Sequence, residues 1–333
     1  MELRYVVLSK LKSPFATSAS RNKSMPCYAR QCETIDSSVN LPKHLGVPII
    51  VDNHNVEHLV VARYLSREAN PLKRLYGWLE YKKLRRWEKK VCCSADVVLA
   101  CSAEDKSSLE ELCSRVSIWV TPNVIDTAVY FDENEHEVEN TVLYMGGMDW
   151  YPNRDAVEFF AFRILPQLRQ LVPEVKFVVA GRNVHPDFRE RLESEAGVHF
   201  TGTVPDMRPE IAKAAVCVVP LRIGSGTRLK ILEAAAMSRA IVSTSVGAEG
   251  LAFDEGQEII RADTPNFFAR AVADLLKDDS CRRVMGQNAR RRVQQDYSVP
   301  VLRRSLNNAL ESMQLQTDPR AARFQMAGPV LER

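Results

Sequence analysis

Residues 141–148 read TVLYMGGM, 175–181 VKFVVAG, 198–204 VHFTGTV and 216–222 VCVVPLR, and the recurrence of these runs decides the fold. Each is short, apolar and rich in β-branched residues, and helical stretches stand between them near 153–171, 186–196 and 207–214. Such runs alternating with helices belong to a parallel sheet covered on both faces. The pattern continues with a helix from Gly226 to Ser238, the strands AIVSTS and EIIRA, and two terminal helices. A sheet of this kind binds ligands at the carboxyl ends of its strands. The turns after Met145, Ala180, Thr201 and Leu221 are therefore predicted to share one rim.

Working outward, the chain of 333 residues is too long for one ordinary core, and two globular units are expected. Glycine divides it: only Gly46 and Gly77 precede residue 146, and the other twelve of the fourteen follow. The acidic stretch 132–140, DENEHEVEN, reads as the linker between a unit over 1–131 and one over 141–314, with a poorly ordered tail at 315–333. In the first unit VPIIVDN and DVVLACS are strands, RYVVLS is a further one, and 56–68, 72–92 and 104–113 are helices. A complete doubly wound half has more strands than this, so the first unit reads as shortened.

Hydrophobic residues at 45% and charged residues at 26% give the composition of a globular protein. A formal net charge of +3 argues against nucleic acid as an obligatory partner. No apolar run approaches the roughly 18 to 20 residues that span a bilayer, and the opening MELRYVVLSKLKSP lacks a signal peptide's apolar core, so a cytoplasmic location is expected. The eight cysteines, at 27, 32, 92, 93, 101, 113, 217 and 281, show no C-x-x-C spacing and read as reduced, mostly buried small hydrophobes.

The chemistry concentrates in RIGSGTRLKILEAAAMSRA, 222–240. A Gly-Ser-Gly-Thr turn precedes a run of strong helix formers, which predicts a helix start near Thr227. Between Ile223 and Ser238 the charges are Arg228, Lys230 and Glu233, each needing a partner on an apolar helix. Two cations in a first turn oppose the helix dipole, and a bound phosphate would reverse the sign of that cost. Glu233 lies about 60° round the helix from Lys230, one turn deeper, where a carboxylate can accept from two adjacent hydroxyls of a ribose. The alternative is an internal Lys230 to Glu233 ion pair with Arg228 exposed.

VLYMGGMDWYPNRDAVEFF, VVAGRNV, FTGTVPDM, PLRIGSGTRLKILEAAAM and, nearer the start, NLPKHLGVPIIVDNHNVEHL together resemble the group 1 glycosyltransferases over roughly Leu41 to Tyr297. The resemblance implies an α/β chain with two facing Rossmann-like domains of the GT-B type, retention of anomeric configuration, and a nucleotide sugar as substrate with no separate cofactor and no metal. It implies that Arg228, Lys230, Gly146 and Gly147 meet the donor diphosphate. Glu233 would hold the ribose, Gly202, Thr203 and Val204 the base, and Ser225, Gly226 and Thr227 the donor sugar. Ser225 stands where the family often has a glutamate, which resembles the Gly-Thr-Arg-x-Lys subgroup. His54, after VPIIVDN, falls where the family places a cleft histidine near the transferred sugar. The acceptor would be a sugar or a lipid-linked sugar. The glycine-rich loop with which the family opens is missing before Gly46, which leaves a nucleotide-sugar-binding protein without transfer, or an epimerase of the same architecture, as alternatives.

Two further motifs carry rival or additional readings. His54, Glu57 and His58 spell the H-x-x-E-H of inverted zinc proteases, although His54 ends a β-branched run rather than starting a helix. Residues 72–90, LKRLYGWLEYKKLRRWEKK, hold eight Lys or Arg against two Glu with four interleaved aromatics. They read either as a solvated helix that packs by its aromatics or as one lying on an anionic membrane surface.

Overall fold

The structure, a computed structural model, describes residues 6–9, 49–130 and 137–317. The chain divides into two units, one ending at Pro122 and resuming at Leu302, the other running from Asn123 to Val301.

The first unit comprises β1 (Val6–Ser9), β2 (Ile49–Asn53), α1 (Glu57–Leu65), α2 (Pro71–Ser94), β3 (Val97–Ala100), α3 (Ala103–Leu112) and β4 (Ser117–Val120). Its strands are parallel in the order β1-β2-β3-β4. The sequence signals for the helix starts are used directly: the Asn70 side chain accepts from the N–H groups of Leu72 and Lys73, with Pro71 at the first helical position, and Ser102 accepts from the N–H of Asp105. Leu109, Val91 and Cys92 pack on one face of the sheet. The other face carries Ile50, Val97 and Leu99 against Ala309, Leu306 and Leu310.

The second unit holds β5 (Thr141–Met145), α4 (Tyr151–Phe159), α5 (Leu165–Leu171), β6 (Lys176–Ala180), α6 (Pro186–Ala196), β7 (Val198–Gly202), α7 (Arg208–Lys213), β8 (Val216–Val219), α8 (Leu229–Ala236), β9 (Ala240–Ser243), β10 (Ile260–Arg261), α9 (Pro265–Lys277) and α10 (Asp279–Asp296). α4 and α5 are joined by a π-helical turn, Phe160–Ile164. α11 (Val299–Thr317) follows, and it is this helix that brings Leu306, Ala309 and Leu310 to the first sheet.

All six strands of the second sheet are parallel, in the order β10-β9-β8-β5-β6-β7. The chain starts in the middle at β5, winds outward through β6 to β7, then crosses back to β8 and winds the other way. The loops after β5 and β8 therefore leave the sheet in opposite directions and open a crevice between them, the place where doubly wound sheets bind ligands. Tyr144, Phe160, Phe177 and Phe268 form the centre of the core beneath.

Several expectations are corrected. Four strands, not three, are present among the described residues of the first unit, because β4, SIWV, lies at the sheet edge with only Ile118 buried and shows no continuous apolar run. Cys93 and Cys113 are joined as a disulfide rather than reduced, since the end of α2 and the residue capping α3 bring their Cα atoms to 5.7 Å; Cys281 is exposed. The units meet in sequence at Pro122 and Asn123 rather than at 132–140, because Ile125 already packs in the second core and its N–H donates to the Tyr297 carbonyl at 2.9 Å. Residues 315–317 are the last of α11. Residues 318–333 of the expected tail, most of the linker, and residues 1–5 and 10–48 lie outside the described residues.

Candidate donor site

Gly146 and Gly147 follow β5 directly, and two contacts explain why glycine stands here. A Cβ on Gly146, whose φ is +156°, would lie 2.8 Å from Asn153 Nδ2 and 3.0 Å from Lys230 Nζ. A Cβ on Gly181, after β6, would run into the Gly146 carbonyl. The backbone is thus left bare next to a lysine ammonium.

That ammonium comes from the other side of the crevice. Lys230 Nζ donates to Tyr144 Oη at 2.9 Å and to Asn153 Oδ1 at 3.0 Å, and lies 4.2 Å from the centroid of the Tyr144 ring. Tyr144 Oη donates in turn to Asn153 Oδ1 at 2.6 Å, and Asn153 Nδ2 donates to the Gly147 carbonyl at 2.8 Å. Burial first, and the neighbouring Arg228 second, push the Lys230 pKa down to about 7, with Glu233 opposing. Burial thus disfavours the charged amine in the free protein, and a negative group placed beside it would favour the ammonium.

Two residues along α4, Asp155 receives Arg222 as a fork, Nε to Oδ2 at 3.0 Å and Nη2 to Oδ1 at 2.5 Å. The Thr244 hydroxyl, past the end of β9, donates to the Leu221 carbonyl. These contacts fix the loop that leads into α8.

Arg228 departs from expectation. The helix begins at Leu229, and Arg228 is its N-cap in extended conformation. The side chain is buried and Nη1 donates to the carbonyls of Ser225 and Gly226. The guanidinium thereby ties its own end of the 225–228 turn to the carbonyls at the other end. The helix dipole alone would make Arg228 a cost to the free protein, yet its removal would release the carbonyls of Ser225 and Gly226. The alternative of an exposed Arg228 is excluded, and no Lys230 to Glu233 ion pair occurs among the described residues.

Glu233 sits one turn into α8, half-buried, with its pKa raised by that burial and held back by a hydrogen bond from Tyr130 Oη at 3.2 Å and by Lys230. Ser225 and Thr227 are buried, and Thr227 Oγ1 accepts from Asn123 Nδ2 at 2.6 Å. Gly202, with φ +74°, ends β7; Thr203 is exposed and Val204 half-buried on the same rim. Of the residues singled out in the sequence, the structure brings Gly146 and Lys230 together, with Gly147 and the 225–227 turn adjoining them in the chain. It missed Tyr144, Asn153, Asp155, Arg222, Asn123 and Tyr130. Asn153 and Asp155, two polar residues in the first turns of α4, were the available signal, but their partners Lys230 and Arg222 lie 77 and 67 residues away.

His54, in the first unit, follows β2. Its Nε2 pairs with Asp52 Oδ2 at 3.0 Å and its Nδ1 meets Cys101 Sγ at 3.9 Å. The hydrogen bond to Asp52, then that to Cys101, raise its pKa to about 10 against a smaller opposing effect of burial. At neutral pH it is an imidazolium, a donor and a positive charge rather than a base. His58 is buried on α1, where its Nδ1 meets Glu88 Oε2 at 2.7 Å while Glu88 also accepts from the N–H groups of Glu57 and His58. Glu88 thus caps α1. His54 and His58 take separate partners, and the described residues hold no group of three His, Cys, Asp or Glu placed for a metal.

The second sheet is doubly wound and carries a lysine and bare glycine backbone at its switch point, the place where sheets of this class bind ligands. Residues 139–278 match the family model described as "Glycosyl transferases group 1". The chain is 22% identical over 255 residues, 73% of its own length, to the "Uncharacterized 44.6 kDa protein in cps region" of Klebsiella pneumoniae, and spans 63% of that protein. It is 26% identical over 257 residues to the lipopolysaccharide core biosynthesis mannosyltransferase LpcC of Rhizobium leguminosarum bv. viciae, covering 72% of this chain and 70% of the relative. Among solved structures, HepE of Anabaena in complex with UDP and glucose superposes with a TM-score of 0.67 at 14% identity, over 84% of this chain and 76% of that one. That likeness is one of fold, α/β of the GT-B class.

Proposed function

We propose that the chain is a glycosyltransferase that moves a sugar from a nucleotide-sugar donor to an acceptor in glycan, polysaccharide or glycolipid synthesis, with retention of anomeric configuration. The observation that carries this reading is the Lys230 ammonium beside Gly146 at the switch point of the second sheet. In it, Lys230 and the Gly146 and Gly147 backbone take the diphosphate. Arg228 holds the turn that offers Ser225, Gly226 and Thr227 to the sugar. Glu233 takes the ribose, and the 202–204 backbone the base. As the glycosidic bond breaks, charge develops on the departing phosphate, and a fixed cation stabilises that charge without reorganising. The phosphate takes the acceptor's proton on the same face, so no side chain is assigned as nucleophile. His54, protonated, supplies a positive charge on the acceptor side. LpcC, named as a mannosyltransferase of lipopolysaccharide core synthesis, and HepE, solved with UDP and glucose, support the donor and acceptor classes.

The test is a panel of nucleotide sugars screened by thermal stabilisation, followed by nucleotide release with and without sugar or lipid-linked acceptors. The anomeric coupling of the product, read by NMR, is expected to match that of the donor. Binding without turnover on any acceptor would favour a binding protein, and an altered free sugar nucleotide would favour an epimerase.

A further inference from the structure

α2 has a buried face and an exposed apolar face. One, through Gly77, Leu84, Glu88 and Val91, is buried. The other holds Leu72, Leu75, Tyr76 and Leu79, which are 77%, 59%, 56% and 54% exposed. At 100° per residue these four, spaced i, i+3, i+4 and i+7, centre about 140° from the buried stripe. The same outward face then changes character along the helix: Lys82, Lys83, Arg86, Lys89 and Lys90 occupy its next three turns. Trp78 stands at the border, with Lys82 Nζ 3.8 Å over its ring. The two glutamates of the helix lie off this face, Glu88 buried as the cap of α1 and Glu80 at the side.

We propose that this outward face is a docking surface for an anionic lipid bilayer, with the leucine and tyrosine turns entering the headgroup boundary and the cationic turns resting on the phosphates. An apolar protein partner would cover the leucines equally well, but it gives no role to the following run of cations on the same face. A helix that is apolar at one end of its outer face and basic along the rest matches an interface that is apolar inside and negative at its surface. No helix among the described residues is long and apolar enough to cross a membrane, so contact of this kind is peripheral. The inference is independent of the donor-site reading.

The experiment is sedimentation of the full chain with vesicles of phosphatidylcholine alone and with phosphatidylglycerol added, at low and high salt. Wild type is expected to bind the anionic vesicles and to be released by salt. Leu72→Ser, Leu75→Ser and Leu79→Ser together should lower that affinity at least about tenfold while leaving the melting temperature unchanged, since all three are exposed. Lys83→Gln, Arg86→Gln and Lys89→Gln should lower it by about fivefold each at low salt and flatten the salt dependence. The proposal falls if wild type ignores anionic vesicles, or if the leucine variant binds as wild type does. It also falls if the leucine variant melts early or converts a wild-type dimer to monomers, which would make the face a core or a contact between copies.

Discussion

Lys230 should take up a proton when a nucleoside diphosphate binds. Its pKa of about 7 leaves it only about one-tenth protonated at pH 8 in the free protein. A diphosphate against the ammonium would restore the pKa toward the ordinary lysine range near 10.4, so binding at pH 8 should take up about 0.9 proton. Calorimetric titration with a nucleoside diphosphate in two buffers of different ionisation enthalpy measures this directly, and at pH 8 the ligand already carries its full charge. Lys230→Arg, always protonated, should bind with no uptake, and Lys230→Met should bind weakly with none. The stability of the free protein follows with the matching sign. The folded pKa is depressed below the unfolded 10.5, so stability rises with pH between about 7 and 10.5 and the burial cost is complete below 7. Full linkage over that shift is about 5 kcal/mol; with the side chain partly open to water, Lys230→Met should stabilise the free protein by about 1 to 3 kcal/mol at pH 6. Uptake below about 0.2 proton in wild type, or equal uptake in Lys230→Arg, would refute the placement of the diphosphate at this ammonium.

Three other outcomes follow from the geometry. Arg228→Ala should lower the stability of the free protein by about 1 to 3 kcal/mol in urea unfolding as well as weakening nucleotide binding, and unchanged stability would contradict the role of Arg228 in holding its turn. His54 should titrate by NMR near 10, and Asp52→Asn should bring it back toward about 6.5; its folded pKa lies above the unfolded one, so the stabilisation it gives is complete below about pH 6.5 and lost as pH rises through about 10. Cys93→Ser opens a loop of 20 residues and should lower unfolding stability by about 3 kcal/mol, whereas equal melting with and without reductant would argue that the pair is not bonded in solution.

The second sheet was legible because its central strands β5, β8 and β9 are buried throughout and read as continuous apolar runs, while the edge strand β7 keeps the alternation of a half-exposed strand. Strand order was not legible: nothing in VCVVPLR says that it pairs with TVLYMGGM rather than with VHFTGTV, yet that pairing makes the crevice. Charged residues on the apolar helix announced Lys230 and Glu233. Arg228 was misread because helix propensity carried the predicted start back to Thr227, whereas its guanidinium satisfies the carbonyls of Ser225 and Gly226 and holds the turn extended. The Tyr144, Asn153 and Lys230 cluster is long-range and silent in sequence. So is the Cys93 to Cys113 pair, whose connectivity no spacing fixes.

The central claim, that the switch-point crevice binds a nucleotide through both its phosphates and its ribose, is tested most directly with Glu233→Gln. This change keeps the shape of the side chain and removes its charge. Affinity for a nucleoside diphosphate should fall by about 1.5 to 3 kcal/mol, the range for a charge-assisted hydrogen bond, while affinity for inorganic pyrophosphate, which has no ribose, stays the same. Unchanged nucleotide affinity together with a marked loss of stability in the free protein would make Glu233 a structural carboxylate for Tyr130 and contradict the assignment.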